Sequence, residues 1–547
     1  MTLRTATAGL REWIHWELNP VLLKELRQAV RSWAITGTLL AFLLILFCIV
    51  LNSIINDVVR YGSDLLLGAQ VFTTLFSFLT AASIGFIPIY VGLRMLLERT
   101  GPTVDLLYVS TLSPSRIIRG KFLSGAYIAL LFFSVCMPFI VFTNLLRGVD
   151  LPTVFALLLL LFFFVCAAVQ LLIFFACLPV TKAFRIILMI AAGFFAIPLT
   201  AFFSYMANRA VQSGFSAITG PGGFWDELGP TLVFVTAAGI LLHLLSAALI
   251  TPTAANRAPA VKIYLTAIWI LGGAWAIYLS IRSKQAAVIV AWSIITWLVM
   301  SIALAVVVSN RDNLSPRVRK TIPAGFFKRW LAFLFYNGAA GGLVWITLIV
   351  VPTFLVTVFW LHQSPVLNPA VRTMRAEDFA EFVFITIGSL AYAYAYGLTG
   401  LFVHREFLPR RAPLLAGVFA FAIPLLLFLV PILVLFARRR LTENYLERLQ
   451  LGSMSNLFML PSARMWETAM DGSAAYDWST LSSDFKKHLL VAGTWSVVLM
   501  VLLARWFFRQ WRDFIPLPPV SGNGAASAAP PERSLANEPR PNSDPRP

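Results

Sequence analysis

Gly120-Lys121 is the one place where the chain sets a lysine directly behind a glycine, the pairing that in a phosphate-binding loop brings an ammonium against a nucleotide. Phe122 follows where Ser or Thr would be needed for Mg²⁺, and the upstream glycine of Gly-x-x-x-x-Gly-Lys-Ser/Thr is missing, so the P-loop route to ATP hydrolysis is closed to this chain. His404-Arg405-Glu406 does not fit His-Glu-x-x-His, no Gly-x-Ser-x-Gly occurs, and Asp57 and Asp64 stand too far apart to act as paired acids. Cys48, Cys136, Cys166 and Cys177 have neither disulfide-framework nor metal spacing, and read as small hydrophobes at helix packing positions. His243, inside Leu-Leu-His-Leu-Leu, is placed at mid-membrane, where a histidine without an acidic partner makes a poor proton relay. The expectation is a chain that is not an enzyme and itself binds no metal or cofactor.

The elements that must position these residues are set by composition. Of the 547 residues 59% are hydrophobic and only 12% charged, about half the charged share of a soluble domain. The apolar residues fall in continuous runs of about 20, the length that crosses a bilayer. Six runs, at about 34–55, 70–93, 122–142, 154–178, 186–206 and 231–250, occupy the first half. Six more, at about 263–281, 286–308, 331–360, 382–403, 414–436 and 489–506, occupy the second. The expected fold is an all-α polytopic integral membrane protein of about 12 transmembrane helices. The polar and amphipathic residues before the first run are not expected to act as a cleavable signal.

Lys and Arg concentrate in the segments that face inward if the N-terminus is inside, so both termini are expected to be cytoplasmic and the +18 net charge to orient helices rather than bind nucleic acid. Arg438, Arg439 and Arg440 resist this rule, because they would open a large outward loop at 438–488. That loop reads as short helices on the outer interface around Leu457 to Met470. The expected divisions are an N-terminal helix at 1–33, a six-span half at 34–255, a second half at 256–514, and a disordered Pro-rich cytoplasmic tail at 515–547.

No Asp, Glu, Lys or Arg lies at mid-depth in the runs, which disfavours an ion-coupled secondary transporter. Asn52, Gln170, His243 and Asn337 are expected to make interhelical hydrogen bonds, Gly338 and Gly342 to form a Gly-x-x-x-Gly contact, and Pro88, Pro138, Pro198, Pro352 and Pro424 to kink their helices. Tyr392, Tyr394 and Tyr396 would suit the wall of a path for amphipathic cargo, although a lipid-facing wall has the same composition.

Two inward segments carry more information. After Pro20, a helix start, Leu22, Leu26, Val30 and Trp33 share one helical face and Lys24, Arg27, Gln28 and Arg31 the other. Such a basic amphipathic helix lies in the inner interface. The second segment, 94–121, contains Glu98, Arg99, Gly101, Thr103, Asp105, Leu106 and Leu107, then Ser113, Pro114, Ile117, Gly120 and Lys121. Gly101-Pro102 breaks the helix leaving the second span. Ser113, as N-cap before Pro114, begins the helix entering the third. The elbow between them exposes Leu106 and Leu107, which suits docking to a cytoplasmic protein.

Glu-Arg-x-Gly-x-Thr-x-Asp-Leu-Leu, Ser-Thr-Leu-Ser-Pro and Ile-Ile-x-Gly-Lys together resemble the cytoplasmic loop of ABC transporter permeases of the type-2 exporter class, and Asn19-Pro20-Val21-Leu22-Leu23-Lys24-Glu25-Leu26-Arg27 resembles their interfacial elbow helix. Pro102, and the absence of a proline after Thr111, depart from the pattern. No second loop of this kind occurs in the second half. The resemblance implies a permease subunit of the cell's inner (cytoplasmic) membrane whose loop residues Glu98 to Lys121 couple it to a separate cytoplasmic ATPase subunit, a dimer that binds ATP and Mg. It leaves open a homodimer or a second permease subunit. A membrane enzyme or an assembly scaffold without transport is the remaining alternative, disfavoured by the missing motifs.

Overall fold

The computed structural model describes residues 20–59, 67–100, 113–146, 149–213, 224–252, 254–283, 287–310, 314–367, 376–409, 415–423, 425–426, 453–454 and 478–516. Among them there is no strand, and eleven helices are long and apolar enough to cross a membrane. The protein is an all-α, multi-pass membrane protein. Of the remaining expected run, 414–436, residues 415–423 are helical. Arg438 to Arg440, the segment Leu457 to Met470 and the tail from 517 lie outside the described residues.

The helices are α1 (Pro20–Val30), α2 (Trp33–Val59), α3 (Leu67–Thr100), α4 (Pro114–Leu145), α5 (Leu151–Cys177), α6 (Lys182–Phe194), α7 (Ala196–Ser213), α8 (Phe224–Ile250), α9 (Pro259–Ser283), α10 (Ala287–Val308), α11 (Pro316–Lys320), α12 (Phe326–Phe335), α13 (Ala339–Leu367), α14 (Ala376–Phe407) and α15 (Trp478–Asp513). The chain divides into two compact units, Met1–Leu298 with Ile349–Met374, and Val299–Leu348 with Arg375–Pro547.

In the first unit α3 is the central helix. Phe72, Leu75, Phe76, Leu79 and Ile87 on it are fully buried, and α4, α5 and α7 pack around it. Gly125 of α4 allows the closest approach, since a Cβ there would stand 2.7 Å from Val169 Cγ1 of α5 and 3.2 Å from Val91 Cγ2 of α3. Away from that core, Trp269 Nε1 donates to Thr353 Oγ1 (2.7 Å) and Trp360 Nε1 to Ser280 Oγ (2.9 Å), tying α9 to α13. The interhelical bond expected of Gln170 is present, its Nε2 donating to Ser246 Oγ of α8 (3.5 Å). Asn52 instead pairs within its own helix, accepting from Asn56 Nδ2 at 3.3 Å.

In the second unit the main pairing is α14 with α15. Tyr392 and Tyr396 are buried there rather than lining a path: Tyr392 Oη and His488 Nδ1 are 2.9 Å apart, and Tyr396 Oη accepts from the Met454 backbone N–H at 3.0 Å. Tyr394 Oη lies 2.7 Å from Thr347 Oγ1.

Two expectations about spans are corrected. The run 331–360 is not one helix: α12 ends at Phe335, Asn337 falls in the turn, and α13 begins at Ala339. Gly338 makes the break with φ +153°, a conformation glycine adopts without a Cβ clash. Gly338 and Gly342 therefore do not form a Gly-x-x-x-Gly pair. Gly342 alone faces another helix, where a Cβ would meet Val307 Cγ1 of α10 at 2.4 Å. The run 186–206 lies within one spanning stretch, Lys182–Gln212, interrupted only at Phe195, three residues before Pro198, between α6 and α7.

Candidate functional site

The two ends of the loop singled out in the sequence meet in a buried ion cluster. Lys121, about one turn beyond Ile117 on α4, is 1% exposed, and its Nζ lies 2.6 Å from Glu98 Oε2 at the end of α3 and 2.6 Å from Glu25 Oε1 on α1. Glu25 is 5% exposed. Arg94 Nε stands 3.8 Å from Glu25 Oε2, and its guanidinium also donates to Gln28 Oε1 and to Tyr90 Oη, the latter at 3.3 Å. Lys24 Nζ is 3.5 Å from Glu98 Oε1 and closes the cluster on its exposed side.

Three cations thus surround two carboxylates. A buried carboxylate or ammonium persists as an ion only when paired and hydrogen-bonded, and here each buried group has its counter-charge. Ile117, Ile118, Gly120, Ser124 and Gly125 are buried around Lys121 on the same stretch of α4 and exclude water from it. The adjoining cavity, lined by Glu25, Ala29, Tyr90, Arg94, Lys121 and Ser124 among others, has a volume of about 10 Å³, room for about one water. The arrangement is a clamp between three helices, too small to take a nucleotide or a cargo.

Arg99 faces the other way. Its Nη1 donates to the Cys177 carbonyl and to the Ala176 carbonyl, the latter at 3.4 Å, where α5 ends. A cation there satisfies free carbonyls and complements the negative end of the helix dipole. Adjacent residues Glu98 and Arg99 therefore fasten the end of α3 to α1 and α4 on one side and to α5 on the other. His243 of α8 lies at this end too, its Nε2 3.4 Å from Ser115 Oγ in the first turn of α4.

Of the expected loop residues, the cluster unites Glu98 and Lys121, with Ile117 and Gly120 buried beside them. Ser113 and Pro114 start α4 as expected, but the Ser113 side chain makes no capping hydrogen bond. Gly101, Thr103, Asp105, Leu106 and Leu107 lie outside the described residues. The face of α1 that meets protein carries Leu22, Glu25 and Ala29, which are buried; Leu26 is half-buried, and Val30 and Trp33 are exposed at 72% and 81%, open to the lipid expected on the apolar face. Trp33 belongs to α2, since α1 stops at Val30 and Arg31 is in the turn. Lys24, Arg27 and Arg31 are exposed as expected. Pro20 is the first residue of α1.

Sequence reasoning missed Glu25, Arg94 and Gln28 as members of the site. A signal was present for Glu25, the single acid between Asn19 and Trp33, three residues after Leu22 and four before Ala29. Comparison with known protein families, with characterised proteins and with solved structures finds no match to this chain.

Proposed function

We propose that this chain is the permease subunit of an ATP-driven exporter of the ABC type-2 class, resident in the cytoplasmic membrane and driven by a separate ATPase subunit that docks on the loop 101–112. The observation that carries this reading is the clamp. The loop connects two helix ends that are locked to each other through Lys121–Glu98 and to an amphipathic helix through Glu25. A push on the loop would then move α1, α3, α4 and, through Arg99, α5 as one body. Rigid coupling of that kind is what a conformational change driven from outside the membrane requires.

The clamp also divides the roles within the expected coupling residues. Glu98, Arg99, Ile117, Gly120 and Lys121 hold the base of the loop, leaving Asp105, Leu106 and Leu107 for contact with the ATPase. The test separates them. In vesicles containing both subunits, Asp105→Asn with Leu106→Ala should lower ATP-driven transport while the permease stays in the membrane with unchanged thermal stability. Normal coupling in that variant would remove the docking role from the loop.

A further inference from the structure

The second unit carries its own amphipathic helix ahead of a spanning one. On α12, Phe326, Phe327, Trp330 and Leu331 are exposed at 77%, 72%, 37% and 44%. Their spacing of one, four and five residues places them on one continuous face. Ala332, Phe333 and Leu334, nearest the Gly338 break, are buried. An apolar face this exposed is unfavourable in water, and its helix is joined by a three-residue turn to α13, a spanning helix. It therefore lies at the depth where a span begins, with lipid as the apolar medium within reach.

The charges around it are mainly basic. Arg317, Lys320 and Lys328 are exposed on and just before α12, and Arg505, Arg509 and Arg512 are exposed on the end of α15. These two regions are adjacent, because Arg319 Nη2 donates to the Asp513 carbonyl (3.3 Å), Arg329 Nη2 donates to the Trp511 carbonyl (3.4 Å), and the Phe333 ring meets those of Trp511 and Phe514 at 5.0 and 5.4 Å. The acid on this end of α15, Asp513, is already beside Arg512 (3.9 Å). In addition, the Nε atoms of Arg319 and Arg329 are buried without a hydrogen-bond acceptor, so two guanidiniums held in place by the helix end retain donor capacity.

We infer that α12 and the end of α15 form a binding site for anionic phospholipid: Phe326, Phe327 and Trp330 enter the acyl boundary while Arg317, Lys320 and Lys328 bind the headgroup phosphate. Charge complementarity selects this occupant, since a neutral zwitterionic surface would leave the basic cluster uncompensated, and juxtamembrane cations are attracted to anionic leaflets. The inference does not depend on the transport reading.

The test uses the full-length protein in nanodiscs, with a fluorescent phosphatidylglycerol analogue as probe in a phosphatidylcholine background. Wild type should bind it, with phosphatidylglycerol competing and neither phosphatidylcholine nor inorganic phosphate doing so. R317Q/K320Q/K328Q should weaken binding on the order of a hundredfold, from about a fivefold effect per surface cation. F326S/F327S keeps the cations and should reduce binding while restoring inorganic phosphate as a comparable competitor. Arg282→Gln, on the first unit, should leave binding as in wild type. Equal affinity of the triple variant and wild type, or competition by inorganic phosphate against wild type, would overturn the site.

Discussion

Replacing Lys121 by Met is the sharpest perturbation of the clamp. The substitution keeps the apolar stem among Ile117, Ile118 and Ser124 and removes only the ammonium, which lies 2.6 Å from each of two carboxylates. Removing one partner of a buried ion pair costs about 3–5 kcal/mol, because the remaining charge is stranded. Glu98 is partly solvated, its side chain 21% exposed, and Arg94 and Lys24 stay nearby, so the expected loss is at the low end, about 3 kcal/mol. In an E25Q/E98Q background Lys121 is itself a buried ammonium without its carboxylates, so the same substitution should cost nothing or stabilise. Chemical unfolding in detergent of the four proteins gives the coupling, expected at about 3 kcal/mol. A loss that is the same in both backgrounds would refute the clamp, as would a loss under about 1 kcal/mol in wild type.

Two further outcomes follow from the same region. Arg99→Gln removes the cation from the end of α5 and should destabilise by about 1–2 kcal/mol, with Arg99→Lys recovering part of it, as read from thermal unfolding at low and high salt. Gly125→Ala drives a methyl into Val169, 2.7 Å away, and should cost about 1–3 kcal/mol. Val169→Ala in the same chain should offset part of that loss, and additive effects would show that the two helices do not touch there.

The spans were legible because a bilayer demands about 20 apolar residues in a row and little else does. The same physics hid the site. In lipid, the apolar face of a helix need not be the face that meets protein, so Leu22, Leu26, Val30 and Trp33 marked one surface of the N-terminal segment while the packed surface ran through Leu22, Glu25 and Ala29. Glu25 could be recognised only once Lys121, nearly 100 positions away in the chain, was brought to it. Glu98 and Lys121 were visible through the resemblance, but as candidates for contact with a partner; their pairing with each other is a tertiary fact. The break at Gly338 was overlooked because the apolar character of Leu331 to Leu334 runs into that of α13, and hydropathy alone does not register a turn.

The central claim, that force enters this protein from a separate ATPase through a clamped loop, is tested most directly by purifying the tagged full-length chain from its native membrane in mild detergent and identifying what accompanies it. The account predicts a P-loop ATPase in stoichiometric amount, lost in the Asp105→Asn, Leu106→Ala variant and retained in Arg282→Gln. Intact, folded protein recovered without any ATPase would contradict it.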